Sequence, residues 1–144
     1  MANYLRRNTG YTFLIEMLLA VLFFAVSAVI LLQVFTAAKL QADKNLAQNG
    51  GLLAAQTALE EGIAALDGGS SLPETEYFWY DEVWQQAEAE SARFRLTVIC
   101  SAEKNGSGAD LYRLTAEAVD LADGKAVLEP LSALCAVSRR EEAS

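Results

Sequence analysis

The chain has no histidine and only two cysteines, two prolines and two methionines among its 144 residues. Each shortage removes a class of chemistry. Without histidine there is no imidazole for general acid–base work or for the usual zinc ligand sets, and neither a glycine-rich phosphate loop nor a nucleophile elbow occurs. The remaining acid–base candidates are Asp and Glu scattered as on a solvated surface, so no enzyme, no cofactor and no small-molecule substrate is expected. Basic residues are also scarce, 11 against 19 acidic ones. From Lys39 to Ser144 nine basic residues face eighteen acidic ones, a net charge of −9. No basic patch offsets that field, so direct binding of nucleic acid is not expected.

Charge is missing altogether from Met17 to Ala38, a run of 22 residues. At about 1.5 Å per residue such a helix crosses a hydrocarbon core of about 30 Å. The apolar stretch begins earlier, at Tyr11, and Glu16 is its only charged member. Arg6 and Arg7 precede the run and no basic residue follows until Lys39. The positive-inside bias therefore predicts a single-pass membrane protein with a cytoplasmic N-terminus and an extracytoplasmic C-terminal domain. A conventional cleaved signal, with Thr36-Ala37-Ala38 as the cleavage site, fits less well because the run exceeds an ordinary signal core.

Met1 to Gly10, MANYLRRNTG, is short and basic and ends in Gly directly before the apolar run. The sequence Gly10-Tyr11-Thr12-Phe13-Leu14-Ile15-Glu16-Met17-Leu18-Leu19 resembles the N-terminal signature of type IV prepilins and pseudopilins. There a basic leader ends in Gly and is followed by an aromatic residue, Thr or Ser, apolar residues, a Glu and a long apolar helix. The resemblance covers about the first forty residues. It implies that a prepilin peptidase cuts between Gly10 and Tyr11 and methylates the amine of Tyr11, and that other pilin or pseudopilin subunits are partners in a filament. The family's Glu usually stands fifth after the cut. Here Glu16 is sixth, with Phe13 as the additional apolar residue.

The physics of Glu16 leads the same way. A carboxylate on a lipid-facing helix costs about 2.5–3.5 kcal/mol at mid-membrane and less near the interface, so it is usually paired or functional. If the chain starts at Tyr11, the amine of a neighbouring subunit supplies a cation at similar depth. The plainer alternative puts Glu16 near the cytoplasmic interface, where it reaches water and the positive end of the helix dipole tolerates it.

Beyond the membrane run, Lys39 to Asp67 keeps helix-forming composition, with Leu52, Ala55, Leu59, Ile63 and Leu66 on one stripe. Asn49-Gly50-Gly51 interrupts it. Two adjacent glycines cost about 1 kcal/mol each relative to Ala, so a kink or local break is expected, with Gly50 and Gly51 either a hinge or a tolerated weak spot. Gly68-Gly69 reads as the stop.

From Tyr77 the period changes to alternation. Phe94, Leu96, Val98 and Cys100 share a face, as do Tyr112, Leu114, Ala116 and Ala118. Turns at Asn105-Gly106-Ser107-Gly108 and Asp123-Gly124 predict an antiparallel meander of strands near 93–103, 110–121 and 125–137, with Pro130 marking an edge or bulge. Tyr77 to Tyr80 and Val83-Trp84 suggest a further short hairpin about Asp81-Glu82. The aromatic residues there suit a small core better than a ligand site. Asp120, Asp123 and Glu129 fix too few oxygens for calcium, which some pseudopilins hold in a comparable loop. Cys100 and Cys135 fall on strands that flank a middle one, so both are expected as free thiols.

The expected organisation is a leader over 1–10, a membrane and assembly helix over 11–38, its extramembrane continuation over 39–69 and a sheet over 70–144. That is an α+β fold, a long N-terminal helix packed by its C-terminal half on an antiparallel meander, which the pilin resemblance also implies. The expected function is a structural subunit of a type IV filament, secretion pseudopilus or DNA-uptake system. The alternative is a signal-anchored protein whose outer domain works singly as a binding or scaffold module.

Overall fold

No proline interrupts the chain before Pro73, and Ala and Leu dominate it, so one long helix forms at its start. The computed structural model describes residues 2–103 and 110–137. Helix α1 spans Ala2–Asp67. It ends in a Schellman motif: Gly69 takes φ +79°, Gly69 N–H donates to Leu66 O at 3.0 Å, and Ser70 N–H donates to Ala65 O at 2.9 Å. Glycine is needed at that φ, so the expected stop at Gly68-Gly69 has a stereochemical cause.

Four strands follow: β1 (Thr75–Tyr80), β2 (Phe94–Glu103), β3 (Asp110–Asp120) and β4 (Leu131–Val137). They form one antiparallel sheet in the order β1-β2-β3-β4. The fold is therefore α+β, with a long apolar N-terminal helix and a four-stranded antiparallel meander. The turn expected at Asn105 to Gly108 lies outside the described residues.

Two compact units divide the chain, one up to Asp43 and one from Lys44. The second contains the core. The inward side chains of β2 and β3, among them Leu96, Val98, Leu114, Ala116 and Ala118, meet Ala55, Ala58, Leu59 and Leu66 of α1. Leu96 and Leu114 are fully buried, each contributing about 1.5–3 kcal/mol of apolar transfer. Alternation along the strands sets which side chains enter.

Four expectations need correction. Helix α1 is unbroken through Asn49, Gly50 and Gly51, because those glycines lie under a tryptophan and are needed for close approach. Leu52 is 40% exposed; the buried stripe runs through Gly51, Ala55, Ala58, Leu59, Gly62 and Leu66, with Ile63 half-buried. Val83-Trp84 is not a strand, and β1 pairs with β2 instead. There Asp81 folds the chain onto itself, its Oδ1 accepting from the N–H of Val83 and of Gln85, both at 2.9 Å. Finally, β4 begins only at Leu131. Pro130 has no N–H to give, and the segment before it touches β3 through one isolated bridge, Val119 to Ala126.

Candidate membrane-spanning and assembly segment

The first unit carries the residues singled out for processing and assembly. Gly10, Tyr11 and Glu16 all lie within α1, and every residue from Gly10 to Ala38 except the half-buried Ser27 is exposed. Tyr11, Phe23, Phe24 and Phe35 are each more than 70% exposed. A helix apolar on all sides is stable only where something apolar covers it, and this one is long and apolar enough to span a membrane. A candidate membrane-spanning helix therefore lies near the N-terminus. Glu16 is exposed on it and takes part in no ion pair among the described residues. Among the described residues nothing lies within 4 Å of where a Cβ on Gly10 would stand.

The second unit holds Gly50 and Gly51. The indole of Trp84 lies against both: a Cβ on Gly50 would strike Trp84 Cδ1, and one on Gly51 would sit 2.8 Å from Leu128 Cδ2 and 3.1 Å from the Trp84 ring. The same indole stacks on Phe94 at 4.4 Å with 5° between planes, and meets Tyr80 at 5.4 Å. Trp84 adopts φ +60°, an uncommon conformation for a bulky residue that the Asp81 turn imposes. Its Nε1–H is buried without a hydrogen-bond partner. The aromatic run thus splits by strand parity. Phe78 and Tyr80 pack with Trp84 on the core, whereas Tyr77 and Trp79 alternate to the other face and stack on each other at 6.5 Å. Burial, and then the charge of Glu61, push the Tyr80 hydroxyl pKa up.

Two features go beyond what the sequence reading singles out. Arg93 clamps Asp120 through two hydrogen bonds, Nε to Oδ1 at 2.8 Å and Nη2 to Oδ2 at 3.0 Å. These hold the Asp120 carboxyl below its ordinary value. The pair joins residues 27 apart in sequence, a distance that only the strand register closes. Asp120 is therefore committed to Arg93, and among the described residues no group of three or more Cys, Asp or Glu is placed to hold a metal ion. The second is Gly62, whose missing side chain leaves room beside Leu114 and Leu72. The spacing Gly51, Ala55, Ala58, Gly62 was its only trace. Cys100 and Cys135 are free, on β2 and β4 with β3 between them, and burial raises both thiol pKa values. Compared with protein-family models, curated proteins and solved structures, the chain matches none.

Proposed function

We propose that the chain is a structural subunit, a minor pilin or pseudopilin, of a type IV filament, secretion pseudopilus or DNA-uptake fibre, and that it polymerises through its N-terminal helix. Glu16 carries this reading: it is an exposed ionisable side chain on a helix whose apolar surface the subunit leaves uncovered. In hydrocarbon the carboxylate is a liability of the order of 2.5–3.5 kcal/mol at mid-membrane. Bundling with sister helices covers the apolar surface and brings a neighbour's N-terminal amine to the carboxylate, so the liability becomes a driving force for assembly. Gly10 supports the processing step by its place directly before the apolar run, and no contact among the described residues accounts for glycine there. A prepilin peptidase recognises the leader, cuts between Gly10 and Tyr11 and methylates Tyr11. Arg6 and Arg7 hold the leader in the cytoplasm, and the acidic domain stands outside the membrane.

The test is the intact mass and N-terminal sequence of the chain purified from membranes with and without a co-expressed prepilin peptidase. The expected product starts at Tyr11 and carries the mass of one added methyl group. A chain that keeps its first ten residues in the presence of active peptidase would overturn the reading and leave the signal-anchored outer domain.

A further inference from the structure

The contact between α1 and the sheet is not filled at its β1 side. A cavity of ≈150 Å³ remains there, walled by Leu72, Phe78, Val98 and Leu114. Gly62 also lines it and lets the helix come close to the sheet there, since a Cβ at that position would come within 2.9 Å of Leu114 Cδ2. An apolar space of this size holds roughly a six-carbon body. Its lining also includes Glu61, from α1, and Glu76, from β1. Both are exposed, so they stand at the mouth, and neither forms an ion pair among the described residues. The lining contains no Lys or Arg.

The strand beside the mouth is a sheet edge. β1 is terminal in the strand order, and among the described residues the chain shields only its later part, where Ala87 N–H donates to Trp79 O and Tyr80 bridges to Gln86. Thr75 to Phe78 is left as open edge, a template for an added strand whose alternate side chains point toward the helix.

We propose that this slot receives a lysine side chain from an extended segment of a partner polypeptide. The partner's backbone pairs with β1 over Thr75 to Phe78, the four-carbon lysine stem lies across the apolar mouth of the cavity and closes it, and the ammonium rests there between Glu61 and Glu76. A long stem buried with its charged head at a wet rim is how lysine is best accommodated. The net charge of −9 over Lys39 to Ser144 favours the approach of a basic segment over an acidic one.

Cys100, which also lines the cavity, reports occupancy. The full-length chain is placed in nanodiscs of phosphatidylcholine, whose zwitterionic surface does not concentrate cationic peptides, and Cys100 alkylation by iodoacetamide is followed by site-resolved mass spectrometry. The probe is the capped peptide acetyl-Thr-Val-Lys-Val-Thr-amide, compared with versions carrying norleucine or glutamate at the centre and with butylammonium alone. Saturating lysine peptide is expected to slow alkylation at least tenfold and the other probes less than twofold. In the Glu61→Gln/Glu76→Gln variant, whose changes are on exposed side chains, the half-protecting concentration is expected to rise at least tenfold. Equal protection by norleucine would reduce the slot to an apolar void, and equal protection by butylammonium would make it a site for a small cation. Undiminished protection in the double variant would remove the role of the carboxylates. Each of these results, or no protection by any probe, overturns the proposal.

Discussion

At the scale of single residues, the sharpest consequence concerns the sign of a substitution. Ala in place of Gly inside a helix normally stabilises by about 1 kcal/mol. At Gly50 the added methyl would collide with an indole that cannot easily retreat, since Trp84 is stacked on Phe94 and fixed by the Asp81 turn. Overpacking of that kind costs about 1–3 kcal/mol. Gly50→Ala is therefore expected to destabilise the domain in urea unfolding by up to about 2 kcal/mol, the balance of those two effects. In a Trp84→Ala background the same change should become neutral or stabilising, because the obstacle is gone. Stabilisation in both backgrounds would return Gly50 to the status of a weak helix position with no packing duty.

The Arg93–Asp120 clamp gives a second test at the same scale. Asp120 is held below its ordinary value of 3.8, first by the hydrogen bond from Arg93, against burial, and further by the Ala122 N–H. A carboxyl depressed in the folded state contributes stability that is fully present above its unfolded pKa and is lost as pH falls through the lower folded value. The stability difference between the native chain and Asp120→Asn should hence be constant at neutral pH and be lost in acid, as pH falls below the ordinary carboxyl value of 3.8 and through the lower folded value. With the Arg93 side chain 41% exposed, solvent screening keeps that difference to about 1 kcal/mol. A difference that persists unchanged in acid would show that the contribution is steric.

At the scale of elements, the helix face and the sheet are complementary in size. Small residues at Ala55, Ala58 and Gly62 let α1 approach β2 and β3, whose inward side chains are the larger Leu96, Val98 and Leu114. Much of this was legible beforehand. The three- and four-residue recurrence of Ala55, Leu59 and Leu66 marks the buried stripe, and alternation assigns Phe94, Leu96, Val98, Leu114, Ala116 and Ala118 to one face, since both periods are local properties of the backbone. What escaped depends on contacts between distant segments. Propensity alone condemns Gly50 and Gly51, and they are explained by Trp84, 34 residues downstream of Gly50, together with Leu128 against Gly51. Thr75 to Tyr80 alternates well enough to be a strand, but its partner is chosen by register with β2 rather than by proximity to Val83. Hydropathy extends β4 back to Lys125 because it does not register the missing N–H of Pro130, whereas the strand begins at Leu131.

The same strand order governs the cysteines. Cys100 and Cys135 are two strands apart, roughly 9–10 Å at the usual interstrand spacing, beyond the reach of a disulfide. Treatment of the folded chain with a mild oxidant is expected to leave no intramolecular bond in non-reducing mass analysis. Alkylation should reach half-buried Cys100 well before Cys135, which is 6% exposed. A Cys100–Cys135 disulfide formed without unfolding would contradict the strand order.

At the scale of the whole chain, burial and hydropathy are allotted to different segments. Among the described residues all the buried hydrophobic side chains lie from Ala55 onward, and the span from Tyr11 to Ala38 contributes none. A fragment beginning at Lys44 should accordingly unfold cooperatively in urea and stay in the aqueous phase on detergent partition, while the full chain partitions with detergent. If the fragment is molten, with no near-UV circular dichroism, the first unit supplies structure that its exposed side chains do not suggest.

Glu16 ties that apolar segment to the proposed filament, and its removal separates two demands that a membrane helix must meet. Insertion depends on apolar length, and Glu16→Ala makes the run from Tyr11 longer without a charge, so membrane integration should be unimpaired or improved. Cleavage depends on the bond between Gly10 and Tyr11 and should proceed. Association differs, because the variant no longer offers a carboxylate to a neighbour's amine, and lipid covers its apolar surface as well as a sister helix would. Incorporation into sheared or purified filaments is therefore expected to fall at least tenfold at equal membrane abundance. Glu16→Gln separates charge from polarity: it keeps a hydrogen-bonding group but cannot pair ionically, so it should follow Glu16→Ala. If Glu16→Gln assembles normally while Glu16→Ala does not, a hydrogen bond rather than an ion pair joins the subunits. If both assemble normally, Glu16 is a residue of the membrane interface and filament formation has another cause.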